Sequence, residues 1–311
     1  MQQSFPGLER ASELKRDGWL RCAWSLLKAA GKDWDEDNAS RLAAALACYT
    51  LLSIAPLLVV SVAVAGLAFG QEAARGQIAH EIGAIVGVDA AKAIEVIIAH
   101  AKRPEAGIQS TIIGGVVLLL GASGVFTELR SALNTIWEVE PKPGQAARNF
   151  LRHRFLAFAM VLAVAFLLLV SLVLSAGLSA LGRFFQNYLP GGELVWQLVN
   201  FAFGVAFATA LFAAIFKVVP DVRVAWRDLW IGAAFTAVLF SVGKLLLGLY
   251  IGKSATTSSY GAAGSLVALV IWVYYSSQVF FFGAEFTQAY ARRFGGAIEP
   301  NDHAVALAPK D

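Results

Sequence analysis

The chain contains 311 residues, of which 58% are hydrophobic and 15% are charged. Charged residues make up about 25% of an ordinary soluble domain, so this composition excludes a soluble, secreted or disordered protein. The formal net charge of +3, from 25 basic and 22 acidic residues, gives no overall bias toward nucleic acid. The apolar residues come in blocks of about twenty, long enough to cross the hydrocarbon core of a bilayer as a helix. We therefore expect an all-α, polytopic membrane helix bundle.

Residues 1–40 are highly charged and contain no apolar signal-peptide core, so the first membrane helix is expected to act as the targeting signal. Within them, the stretch 8–30 predicts an amphipathic helix lying on the cytoplasmic membrane face. Its apolar side chains stand among basic ones and are Leu14, Leu20, Trp24 and Leu27. The alternative is a soluble cap packed on the bundle. No disulfide is predicted between Cys22 and Cys48.

Six apolar segments are long enough to span a bilayer, and they predict a six-helix transmembrane domain over residues 41–290. Their approximate bounds are Leu42 to Phe69, Ile108 to Phe126, Phe155 to Leu181, Leu194 to Phe216, Leu229 to Tyr250 and Gly261 to Phe286. Pro56 predicts a kink in the first span, which a membrane bundle tolerates. Residues 71–107 carry isoleucines at helical spacing, which predicts short helices folded over the external mouth.

The basic residues are divided unequally between the two sides of the membrane. One side carries 18 of them and the other carries six, while Lys244 lies inside a span. Loops rich in Lys and Arg stay in the cytoplasm, so both termini are predicted to be cytoplasmic. The basic residues next to the membrane are expected to face anionic lipid. Residues 291–311 are expected to form a flexible cytoplasmic tail.

Ionisable residues inside spans are costly and often functional, which makes Lys244 the leading candidate for a transport pathway. Asn200 is predicted at a similar depth, together with Ser61, Ser171 and Ser175. These side chains would line an outward-facing polar cavity around the ammonium group. The alternative is that Lys244 snorkels to the interface or forms a structural pair.

A second group of polar residues lies in the inner half of the sixth span. Tyr274, Gln278 and Glu285 fall within about 40° of one another around a helix, so this stripe is expected to face the bundle interior. Glu128 and Arg130 end the second span at a comparable depth, which makes an Arg130–Glu285 ion pair a candidate. The network either forms a substrate gate or only locks the helices together.

Several motifs that would indicate other functions are missing. The four histidines show no metal-ligand spacing, and the chain has no phosphate-binding glycine loop and no GxSxG motif. We therefore expect no metal, no cofactor and no ATP-driven pump in this chain. Gly66 with Gly70, and Gly248 with Gly252, have GxxxG spacing, which predicts close helix packing and leaves a homo-oligomer open.

Four segments together resemble the YihY/BrkB family. They are AAALACYTLLSIAPLLVV at 43–60, GASGVFTELRSALNTIW at 121–137, GKLLLGLYIG at 243–252 and YGAAGSLVALVIWVYYSSQVFFFGAEF at 260–286. The resemblance covers about residues 35–290 and implies a six-helix inner-membrane protein of bacteria. It places Lys244, Tyr260 and Glu285 at family motif positions.

The expected function is a secondary transporter or exporter of a solute or lipid, with the bilayer itself as the main partner. The alternative is a non-transporting envelope scaffold or a resistance-associated membrane protein. Members of the resembled family also carry the label ribonuclease BN. A nuclease usually needs clustered metal-binding side chains and a concentrated basic face, so we expect neither enzymatic activity nor nucleic-acid binding here.

Overall fold

The computed structural model describes residues 19–53, 124–142, 192–253, 263–296 and 298–307. Within these ranges the protein is mostly helical, with six helices and four short strands. The helices are α1 (Trp19–Glu36), α2 (Ala39–Ser53), α3 (residues 124–136), α4 (Gly192–Val218), α5 (Trp226–Lys253) and α6 (Ala263–Phe294). The strands are β1 (Val139–Pro141), β2 (Val222–Arg223), β3 (Glu299–Pro300) and β4 (Ala304–Ala306).

Three of the described helices are long and apolar enough to cross a membrane. Their apolar cores are Phe201–Val218 in α4, Trp226–Leu247 in α5 and Val267–Phe294 in α6. They coincide with the predicted fourth, fifth and sixth spans. The first predicted span is described only as far as Ser53, in α2, and the second only from Gly124, in α3.

The remaining parts of the six-span prediction lie outside the described residues. They are the third span, Pro56 with its kink, and the external loop over residues 71–107. The count of six spans therefore stays a prediction.

Helices α3, α4, α5 and α6 share one apolar core. Its most deeply buried large side chains include Leu133, Ile136, Phe216, Leu229 and Phe281. Each helix contributes one side of its surface to this core. In α4 and α5 the opposite side carries exposed apolar residues, for example Phe201 and Leu245. This distribution suits a bundle that is surrounded by lipid, because lipid requires no polar covering of the outer surface.

Helix α1 packs against the C-terminal part of α6. Cys22, Leu26 and Ala30 are buried against Phe286 and Ala289 of α6. The hydroxyl of Ser25 also accepts a hydrogen bond from Arg293 of α6. One side of α1 is therefore covered by protein, whereas Trp24, which belongs to the predicted apolar face, is 64% exposed.

Helices α5 and α6 approach each other closely where a glycine of one helix lies against a threonine of the other. Gly232 of α5 lies against Thr287 of α6, and Gly283 of α6 lies against Thr236 of α5. Each threonine hydroxyl donates to the carbonyl oxygen of the glycine four residues earlier, at 2.8 Å for Thr236 and 2.6 Å for Thr287. These four residues form the Gly–Thr seam, which neither predicted GxxxG pair includes.

The four strands join the C-terminal segment to two interhelical turns. Strand β4 pairs antiparallel with β1, which follows α3, and β3 pairs antiparallel with β2, which lies between α4 and α5. We call the end of the bundle that carries these strands the sheet end. The chain enters β1 through Glu138, a left-handed residue (φ 53°) whose carboxylate lies 2.5 Å from the guanidinium of Arg292.

The structure adds two features to the predictions for this region. Four short strands accompany a mostly helical fold, and two or three residues are too few to produce a period-two pattern in the sequence. Within the predicted tail over 291–311, residues 291–294 complete α6 and residues 299–306 contain β3 and β4. Pairing with β1 and β2 supplies hydrogen bonds that the tail sequence does not reveal.

We predict that Gly283→Ala lowers the stability of the protein. The added methyl group would overlap the side chain of Thr236, and overpacking of this kind typically costs about 1–3 kcal/mol. Gly204→Ala in α4 is the matched control, because a Cβ there meets nothing within 4 Å. Thermal unfolding of the purified protein in detergent should show a lower Tm for Gly283→Ala alone. Adding Thr236→Gly to Gly283→Ala should recover part of the lost stability. Equal Tm values for Gly283→Ala and Gly204→Ala would contradict close packing at the seam.

Candidate functional site

A buried ion pair connects α3 to the turn between α4 and α5. The Arg130 guanidinium donates to both carboxylate oxygens of Asp221, with its Nε 3.0 Å from Oδ2 and a terminal nitrogen 2.6 Å from each oxygen. Asn134, one helical turn after Arg130, donates from Nδ2 to Asp221 Oδ2 at 2.8 Å. Its Oδ1 accepts a hydrogen bond of 2.8 Å from the Asp221 backbone N–H. We call these three residues the Arg–Asp clasp.

The clasp is shielded from solvent and fully hydrogen-bonded on its acidic side. The Arg130 side chain is 14% exposed and that of Asp221 is 12% exposed. Removing two charges from water is expensive, so a pair at this depth persists because the geometry is bidentate and Asn134 adds further hydrogen bonds. The clasp therefore fixes the end of α3 against the α4–α5 turn.

A pocket of about 260 Å³ opens beside the clasp at the sheet end. One part of its lining is apolar and the other is charged or polar. The lining residues are Phe126, Arg130, Val218, Val219, Pro220, Asp221, Arg223, Asn301, Asp302 and His303.

The C-terminal segment closes one side of this pocket. The Asn301 backbone N–H donates to the carbonyl oxygen of Asp221 at 2.8 Å. Lys142 Nζ donates to the carbonyl oxygen of Asp302 at 2.9 Å. The Asp302 side chain forms an ion pair of 2.7 Å with Arg223, and both side chains are mostly exposed at 75% and 56%. The pocket is thus built from α3, the α4–α5 turn and the tail together.

The predicted polar stripe on α6 is buried only toward its C-terminal end. Glu285 is fully buried, Gln278 is half-buried and Tyr274 is 38% exposed. Thr287 and Gln288, the next polar residues of α6, are also buried. The stripe is therefore not uniformly buried, and its function stays a prediction.

Lys244 is exposed on α5, next to the contact with α6. A crevice beside it is lined by Phe240, Leu247, Trp272, Tyr275 and Ser276 and is too narrow to admit water. The polar cavity predicted around Lys244 is not found among the residues that the structure describes. Asn200 lies on α4, while Tyr260 and Pro56 fall outside the described ranges.

The sequence analysis offered Glu285 as a candidate ion-pair partner of Arg130. The structure shows a bidentate pair between Arg130 and Asp221, and Glu128 is half-buried on the same helix. Asp221 and Asn134 were missed by the sequence analysis. Asp221 follows Pro220 in the short turn between two predicted spans. This turn and Arg130 were predicted on the same side of the membrane, and that was the signal in the sequence that could have suggested the pair.

Two charged groups near the junction of α1 and α2 have shifted pKa values. Burial raises the pKa of Asp33, although the nearby guanidinium of Arg292 partly opposes this effect. The pKa of Lys32 is also raised, chiefly by its hydrogen bond to Glu36, whose carboxylate lies 3.0 Å away. Arg292 thus acts on two acids at once, since it also pairs with Glu138.

Three apolar helices are long enough to span a membrane, and an ion pair ties α3 to the turn between two of them, which together define a helical membrane protein. The chain belongs to the BrkB family, whose model, described as virulence factor BrkB, matches residues 30–308. This match extends beyond the resemblance found in the sequence and includes the C-terminal strands.

Curated relatives carry the name UPF0761 membrane protein. One from Alteromonas mediterranea is 28% identical over 279 residues, which cover 89% of this chain and 90% of the relative. One from Alkalilimnicola ehrlichii is 26% identical, covering 90% of this chain and 61% of the relative. One from Pseudomonas aeruginosa PAO1 is 33% identical over 178 residues, or 56% of this chain and 41% of the relative. The match with this last relative thus spans about two fifths of its length. No solved structure matches the chain.

We predict that Arg130→Met destabilises the protein strongly. The substitution leaves the Asp221 carboxylate buried without its guanidinium, which typically costs about 3–5 kcal/mol. Arg223→Gln is the matched control, because its pair with Asp302 is exposed and such pairs contribute about 1 kcal/mol or less. Unfolding of the purified variants in detergent measures both losses. A double variant with Asp221→Asn should recover part of the stability, and similar losses for Arg130→Met and Arg223→Gln would show that the clasp is not the stronger pair.

Proposed function

We propose that this membrane protein is a secondary transporter or exporter of the bacterial inner membrane, with both termini in the cytoplasm. The observation that carries the proposal is Glu285, a carboxyl group that is fully buried within an apolar helix long enough to span the membrane. Ionisable groups in such helices are costly and commonly mark substrate or ion pathways. A proton or a sodium ion would suit this acid as the coupled ion.

The register of the Gly–Thr seam gives the relative depth of the two charged candidates. Because Gly232 lies against Thr287 and Thr236 against Gly283, Glu285 lies level with the middle of this part of α5. Lys244 is about ten residues further along α5, or about 15 Å at 1.5 Å per residue. An acid in the inner half and a cation in the outer half suit a carrier that takes an anionic solute or lipid and a coupling cation.

The distribution of basic residues supports a cytoplasmic position for the sheet end. This end carries Arg130, Arg223, Arg292 and Arg293, and it belongs to the side with 18 basic residues against six. Exposed Trp226 and Trp230 at the start of α5 suit the headgroup layer, where amphipathic aromatic side chains concentrate.

A non-transporting envelope scaffold is the second candidate. It is favoured by the tight Gly–Thr seam and by the crevice at Lys244, which is too narrow for water. In a scaffold, Lys244 would only extend its ammonium toward the membrane surface. The two functions can be distinguished at Lys244. Its charge is required for activity in a transporter, whereas in a scaffold it affects only insertion and folding.

We predict the topology that this proposal requires. Reporter fusions after Gly31, near Pro143 and at the C-terminal tail should all report a cytoplasmic position, because the flanking loops are rich in basic residues. Fusions near Asp89, Gly191 and Ser258 should report an external position. One inverted signal would contradict either the number of spans or the orientation.

We predict that Lys244→Met lowers the transport rate by about tenfold or more while the protein still inserts and folds. The cause is the loss of a charge-assisted contact to an anionic substrate, and Lys244→Arg should keep part of the rate. The assay is uptake into inverted membrane vesicles, screened with labelled anionic solutes and a labelled phospholipid. Lys253→Met, at the end of the same helix, is the charge-matched control.

Expression level and Tm separate a loss of transport from a loss of folding. If wild-type vesicles move none of the labelled compounds, or if Lys244→Met transports as well as the wild-type protein, the scaffold becomes the better interpretation.

A further inference from the structure

The pocket at the sheet end lies at the level where two predicted spans meet the membrane surface. Its lining includes Val218, the last residue of α4, Val219, which follows it, and Arg223, three residues before α5 begins. The spanning core of α4 ends at Val218 and that of α5 begins at Trp226. The pocket is therefore placed at the depth of lipid headgroups rather than in the hydrocarbon core.

The charges around the pocket are balanced. The guanidinium groups of Arg130 and Arg223 are matched by the carboxylates of Asp221 and Asp302, and His303 adds an imidazole. Arg130 and Asp221 are held within the clasp. Arg223 and Asp302 form an exposed pair, which contributes little stability and can open to accept other partners. A purely anionic ligand would meet two carboxylates here, whereas a zwitterion finds a partner for each of its charges.

Apart from Asn301, the remaining lining is apolar. Phe126 and Val218 line the pocket, and Val218 is 60% exposed at the end of the apolar core Phe201–Val218 of α4. A ligand whose polar group sits in the pocket could therefore extend a hydrocarbon chain along α4. The volume of about 260 Å³ is smaller than the roughly 300–1,000 Å³ of pockets that enclose drug-sized ligands, and it suits a headgroup alone.

From these features we propose that the pocket binds the phosphoethanolamine headgroup of a membrane glycerophospholipid. The phosphate accepts charge-assisted hydrogen bonds from Arg223 and His303, and the ammonium donates to the Asp302 carboxylate. Binding exchanges the Arg223–Asp302 ion pair for two contacts with the lipid. This site depends on the membrane placement of the sheet end and does not require the protein to transport anything.

The test is lipid retention by the full-length protein, measured by native mass spectrometry and by titration in detergent. The probes are phosphatidylethanolamine, phosphatidylglycerol and phosphatidylcholine with identical acyl chains, and free phosphoethanolamine. We expect phosphatidylethanolamine to bind more tightly than the other two lipids and more tightly than the free headgroup. Arg223→Gln should weaken it by about tenfold, the effect of losing one charge-assisted hydrogen bond.

Arg227→Gln is the matched control, because Arg227 is exposed in the first turn of α5 and does not line the pocket. Asp302→Asn is the second variant and should weaken phosphatidylethanolamine while leaving phosphatidylglycerol unaffected or slightly tighter. Tm values close to wild type establish that the variants are folded. Three results would overturn the proposal: equal retention of phosphatidylglycerol, free phosphoethanolamine binding as tightly as the lipid, or equal effects of Arg223→Gln and Arg227→Gln.

Discussion

The packing of α5 on α6 through glycine and threonine fixes the geometry on which the other features depend. Each threonine lies against a glycine of the opposite helix, and its hydroxyl donates to a backbone carbonyl oxygen of its own helix. The hydroxyl is thus satisfied without reaching across the contact, which matters where water is scarce. Tyr275 against Gly243 continues the contact further along the two helices. Close approach at three levels leaves little freedom for one helix to slide past the other.

This fixed register determines where the polar groups of α6 lie. It places Tyr275 beside Lys244 and puts Glu285 roughly halfway between the levels of Gly232 and Thr236. It also carries the C-terminal turns of α6 to the sheet end, where they support α1 and the ion pair between Arg292 and Glu138. This helix contact therefore positions both Glu285 and the surface on which the N-terminal helix packs.

The sheet end is held by a different kind of interaction. The β1–β4 pair has three residues in each strand and the β2–β3 pair has two, so the strand pairs alone would contribute little stability. They nevertheless tie the tail to the segment after α3 and to the α4–α5 turn, which the Arg–Asp clasp joins to α3. Asp221 takes part in both, through its carboxylate to Arg130 and through its carbonyl oxygen to Asn301. The pocket beside it exists only because three separate segments of the chain meet there.

The sequence by itself determined the features that depend on composition along a continuous stretch. The long apolar blocks that became α4, α5 and α6 could be recognised because a spanning helix satisfies its own backbone, whatever its neighbours are. An interior position for Glu285 was expected on similar grounds, since a carboxyl group on an apolar helix avoids lipid. Only the tertiary structure decided which groups meet across the chain. Arg130 pairs with Asp221, 91 residues away, and the tail pairs with turns more than 75 residues earlier, contacts that no local pattern encodes. The same holds for the Gly–Thr seam. The reason for a glycine becomes clear only when the side chain that packs against it from the other helix is known.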